Sequence, residues 1–138
     1  MEFKGILAVA AIALSVSAAQ AQDSAIVLGK SSFGARCALC HGPDAKGGGE
    51  IAVLFRTKPS DLTNLAELAG GQFPFDDVYH IVVDGMDQPG HGDSQMPIWG
   101  DYFMADALQD RGVNMADAVE IATGRVLSLV YYLESIQQ

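Results

Sequence analysis

Cys37-Ala38-Leu39-Cys40-His41 is the stretch from which the rest of the chain can be read. Two thiols three positions apart on one helical turn can each reach a vinyl group on one edge of a porphyrin, and the next side chain then swings beneath the ring to its iron. Cys37 and Cys40 are therefore expected to anchor a c-type haem as thioethers, with His41 as the proximal iron ligand. Two other chemistries share part of the pattern. A redox disulfide of the C-x-x-C type follows a strand in a βαβ arrangement, and no such arrangement is found here. A structural zinc site takes four ligands, and only His80 and His91 remain to complete one, at no familiar spacing.

Upstream of the motif, Asp23 or Ser24 can cap a helix on which Ile26, Gly29, Phe33 and Cys37 share a face. Downstream, Gly42-Pro43-Asp44 and Gly47-Gly48-Gly49 form a loop. No Gly-Lys-Ser/Thr ending follows the three glycines, so they are not read as a phosphate cradle. Pro59-Ser60-Asp61-Leu62-Thr63 is a turn leading into a short helix through Leu65 and Leu68, stopped by Gly70-Gly71. Pro74 opens the next helix, with Val78, Ile81 and Val82 inward and Gly85 at its end. His80 on that helix is read as a surface or core residue and not as a ligand.

Residues 84–100 are rich in Gly, Pro, Asp and Ser and are expected to form a loop carrying function. The stretch Tyr102 to Met115 reads as irregular, with a short helix near Ala105 to Asp110 broken at Gly112. Asn114 then caps a long helix to about Ile136, with Val126, Leu129, Val130, Leu133 and Ile136 inward. Tyr132 or Tyr131 is the expected contact for Phe33 and Gly29. Gly124 interrupts this helix at a cost of about 1 kcal/mol relative to alanine.

The first 21 residues read as a secretory leader to be cleaved, leaving 22–138 as a single domain; the alternative is an uncleaved N-terminal anchor, since Glu2 weakens the basic start. Lys4 begins it, Ile6 to Leu14 is an apolar run too short to span a bilayer, and Ala19-Gln20-Ala21 is a small-x-small cleavage site. Much of the 49% hydrophobic content lies in that leader, so the remaining apolar core is modest and the haem is expected to complete it. Haem-free protein is accordingly expected to be molten, without a cooperative thermal transition in calorimetry.

The net charge of −9 survives removal of the leader, which carries one acid, Glu2, and one base, Lys4. So acidic a domain is unsuited to nucleic acid or an anionic membrane. From Asp76 to Asp117 nine aspartates face one base, Arg111, whereas Lys46, Arg56 and Lys58 cluster just after the motif. Most of the acids are expected to be a solvated face, and the asymmetry could steer encounters with a charged partner.

The chain resembles the class I monohaem c-type cytochromes. The likeness lies in Gly29-x-x-x-Phe33-x-x-x-Cys37, C-A-L-C-H with the following His41-Gly42-Pro43-Asp44, Pro59-Ser60-Asp61-Leu62-Thr63 and Met96-Pro97-Ile98-Trp99-Gly100. It covers essentially the whole chain from about Asp23, and M-P-x-W-G points to a bacterial branch.

The resemblance implies an all-α class I cytochrome c fold, with N- and C-terminal helices crossing at Gly29 and Phe33 and loops wrapping one covalent haem c. It implies Met96 as the second axial ligand, and Pro97 favours the extended backbone that aims its thioether. A thioether in that position raises the reduction potential relative to a second histidine. His91, in the same loop, is the rival ligand, while Met86, Met104 and Met115 can be ordinary core filling. Trp99 packs either on the haem edge or in the core. In the family, a proline about twelve residues past the histidine supplies a carbonyl to its second ring nitrogen. Here position 53 is Val53 and the nearest downstream proline is Pro59, so that carbonyl is left open.

Taken together, these readings imply a monomeric periplasmic one-electron carrier, not an enzyme, exchanging electrons with redox protein partners and not inserted in a membrane after cleavage. The alternative is a haem-bearing subunit of a larger periplasmic oxidoreductase, which would co-elute with its enzyme in size exclusion. A peroxidase or gas-binding haem protein would need an open sixth position.

Overall fold

The computed structural model describes residues 22–85, 98–110 and 112–138. The expected leader, Met86, His91 and Met96 lie outside the described residues. Among the described residues all regular structure is helical and no strand occurs. In chain order these elements are α1 (22–36), α2 (Ala38–His41), a 3-10 turn (Ala52–Leu54), α3 (Leu65–Leu68), α4 (Phe75–Asp84), α5 (Trp99–Ala107) and α6 (Met115–Ser135).

The longest described helix, α6, is the floor on which α4 and α5 pack and which α1 crosses. Asn114 starts it: its side-chain oxygen accepts from the amides of Ala116 at 2.9 Å and Asp117 at 3.1 Å, satisfying two of the otherwise unpaired first-turn donors. Val126, Leu129, Val130 and Leu133 recur at helical spacing and are all buried, while Ile136 is half-buried where the helix ends. Both α4 and α5 pack on this helix and on each other.

Where α1 crosses α6 the backbones nearly touch. A methyl group on Gly29 would fall on the Ser128 carbonyl and within 2.8 Å of Tyr132 Cβ. One turn later Phe33, 2% exposed, packs its ring on Tyr132 with centroids 5.4 Å apart. Such a pair contributes about 0.5–1.5 kcal/mol beyond its buried area. Tyr131 turns instead toward Phe75, at 5.1 Å, so the two adjacent tyrosines serve different helices.

In α4, Pro74 sits at the cap and Val78 and Val82 are buried, with Ile81 half-buried; Gly85 ends the helix at φ 82°. Helix α5 departs from the sequence expectation: it starts at Trp99, not near Ala105, and ends at Ala107. Its register is set by a tertiary contact, since Gly100 lets the helix approach α4 so closely that a Cβ there would lie 2.9 Å from the Val83 carbonyl. Phe103 and Ala107, four apart, then face the core.

Asp106 joins three helices, meeting Arg125 of α6 at 2.8 Å and Arg36 of α1 at 3.4 Å. These groups are partly exposed, so each pair is worth at most about 1 kcal/mol. The other aspartates described between Asp76 and Asp117 are exposed, as a solvated face requires. No described helix is long and apolar enough to cross a membrane.

Candidate cofactor site

Cys37 is the joint between α1 and α2. Its amide still donates to the Phe33 carbonyl at 2.8 Å, but its φ of −108° departs from helical geometry before its own carbonyl receives the His41 amide at 2.9 Å. The motif therefore occupies one short turn attached to a helix clamped at Gly29 and Phe33. Both thiols are free and half-buried. Burial, reinforced by the neighbouring Cys40, pushes the Cys37 thiol up to about 12.

Residues 42–62 fold back against this turn. The Gly47 amide donates to the His41 carbonyl at 2.7 Å and that of Gly49 to the Cys40 carbonyl at 3.0 Å. Gly49 comes so close that a Cβ would overlap the carbonyls of Leu39 and Cys40. Gly47, at φ 77°, likewise leaves no room for a side chain beside the Pro59 carbonyl. These glycines serve backbone contact, which accounts for the glycine-rich loop without any phosphate.

The result is that His41 Nδ1 lies 2.9 Å from the carbonyl oxygen of Ser60, nineteen residues along the chain. A carbonyl can only accept, so the proton sits on Nδ1 and the Nε2 lone pair is left for another partner. An outer-sphere hydrogen bond of this kind orients a metal-binding imidazole, fixes its tautomer and raises its basicity. The carbonyl left open by the sequence is thus that of Ser60, the residue after Pro59.

Beside the motif, Leu39 is 50% exposed, and Val53 and Leu54 on the adjoining 3-10 turn are 87% and 76% exposed. Apolar surface against a half-buried His with a free Nε2 and two unlinked thiols fits a covalently held porphyrin. Among the described residues, which do not include His91, no three His, Cys, Asp or Glu side chains converge to hold a metal ion. His80 is an exposed residue whose Nδ1 lies 3.1 Å from Asp84, one turn on, and it takes no part in the motif. Trp99 is half-buried and belongs to an aromatic group with Tyr102 at 5.5 Å and Phe103 at 6.3 Å, packed against the core.

Asp61 and Gln137 brace the segment that follows Ser60, and the sequence alone does not give either of them that part. The Asp61 carboxylate accepts from the Thr63 hydroxyl at 2.7 Å and the Thr63 amide at 2.9 Å, closing the turn beside Ser60. Asp61-Leu62-Thr63 does carry the signal of an Asx turn, whereas nothing local marks Gln137. Those hydrogen bonds, then burial acting the other way, then Lys46 and Lys58, together hold Asp61 below the usual carboxylate value of 3.8. A lowered folded-state pKa means a contribution that is present above the unfolded value and lost as pH falls through the folded one. Asp61→Asn is therefore expected to be less stable than the parent at pH 7. The gap in urea midpoint should close as pH is lowered below about 4, and a gap constant down to pH 2 would contradict this account.

No family model, curated protein or solved structure matches this chain.

Proposed function

We propose that this protein is a periplasmic one-electron carrier of the class I cytochrome c fold, with one haem c held by thioethers from Cys37 and Cys40 and ligated by His41 and Met96. The observation that carries the proposal is the His41 Nδ1 hydrogen bond to Ser60, which frees Nε2 on the histidine that directly follows two thiols on one turn. The bound group supplies the change of iron oxidation state.

The chain's own part is to anchor, orient and enclose. The clamped α1 fixes the two thiols, the 42–62 loop fixes the imidazole, and α6 supplies the rigid base. A haem held by both His41 and Met96 would leave the iron closed to substrates, and the chemistry it would supply is outer-sphere electron transfer to protein partners and not catalysis. Steering by the −9 net charge predicts a transfer rate that changes with ionic strength.

The test is an optical spectrum and redox titration of the exported protein. Sharp reduced-state haem bands, pigment that resists acidified acetone, and a sulfur-to-iron charge-transfer band in the oxidised form are expected. Pigment extracted by acidified acetone would overturn the covalent attachment, and absence of the charge-transfer band would remove Met96.

A further inference from the structure

The two groups of the His41–Ser60 hydrogen bond come from distant parts of the chain, yet both are referred to α6. His41 is held through α1, which is locked onto α6 at Ser128 and Tyr132. Ser60 begins a segment held from both sides. On one side the Leu62 amide donates to the Ala45 carbonyl at 2.8 Å. On the other stands Gln137, just past the end of α6. Its Nε2 donates to the Leu62 carbonyl at 2.8 Å and to the Leu133 carbonyl of α6 at 2.7 Å, and its Oε1 accepts from the Ala66 amide at 3.0 Å. The next residue, Gln138, donates its amide to the Thr63 carbonyl at 2.9 Å.

Gln137 is half-buried, and two of its three side-chain hydrogen bonds span 71 and 75 residues, so its amide is costly to leave unmatched. One side chain thereby ties residues 62–66 to the same helix that fixes α1. We infer that Gln137 is a positioning residue for His41: it holds the Ser60 carbonyl in register with Nδ1 and so sets the basicity of the imidazole. Through that bond it lowers the reduction potential of the iron that the proposed function places on Nε2, because a more basic ligand favours the oxidised metal.

This inference rests on the haem reading for its effect on potential, but the positioning itself does not. Gln137→Leu removes all three hydrogen bonds at similar volume. In the exported protein, exchange of the His41 Nδ1 proton, followed by ¹⁵N-histidine NMR, is expected to quicken at least about tenfold. The midpoint potential should rise, by up to about 59 mV for a tenfold change in the one-electron equilibrium.

Asn114→Ala, which removes the cap at the opposite end of α6, is the comparison: it should lower stability while leaving proton exchange and potential in place. Equal shifts in both variants, or an unchanged Nδ1 proton in Gln137→Leu, would overturn the positioning role. If Gln137→Leu does not fold, Gln137→Glu retains the acceptor for Ala66, removes both donors and carries the same expectation. Exported protein without pigment would refute the haem reading, while the proton-exchange comparison would still decide whether Gln137 positions His41.

Discussion

Gly29→Ala is expected to lower the stability of this protein by about 3 kcal/mol or more, the upper end of what overpacking a core costs. The reason is that the added methyl meets backbone: it lands on the Ser128 carbonyl, which no rotamer change can move. The helices must part, and the Phe33–Tyr132 contact loosens with them. Against a typical domain stability of about 5–15 kcal/mol this is a large fraction. Gly34, on the same helix but exposed and with nothing within reach of a Cβ, gives the opposite expectation: Gly34→Ala should stabilise by up to about 1 kcal/mol. Urea midpoints of the two variants, measured side by side by circular dichroism, check the pair, and a Gly29→Ala protein as stable as the parent would mean that the crossing is looser than described.

If the proposed haem attachment holds, joint replacement of Cys37 and Cys40 by alanine is expected to abolish covalent pigment in the exported protein, an all-or-none effect, and to lower stability sharply because the apolar surface around the motif would lose the cover that the proposed haem gives it. His41→Ala should leave any retained pigment without its proximal bond, seen as loss of the low-spin spectrum. Dithiothreitol separates thioethers from the disulfide alternative, since a thioether is not reduced by a thiol. Pigment that stays covalently bound in the double variant would remove the two cysteines from the proposed site.

Helix positions with a strong local signal are legible in the sequence alone. Asn114 ahead of an apolar 3.6-residue repeat, Pro74 ahead of Val78 and Val82, and the Gly70-Gly71 stop all act within one or two turns, and the fold has helices where they point. The helix from Trp99 to Ala107 begins six residues earlier than local signals suggest, near Ala105, because its start depends on Gly100 meeting the Val83 carbonyl. A contact between helices leaves no periodic trace in either. The choice between Tyr131 and Tyr132 for Phe33 is undecidable from sequence for the same reason: adjacent residues on a helix point about 100° apart, and only the packing of α1 and α4 assigns each ring a partner.

What the sequence determined by itself was the set of reactive groups that the chain carries, two thiols and an imidazole on one turn, and its net charge of −9. What only the tertiary structure decided was how that imidazole is held. The Ser60 carbonyl and the Gln137 amide reach their partners across 19 and as many as 75 residues, and hydrogen bonds of that span are specified by where packed helices bring the backbone, not by any residue's neighbours in the chain.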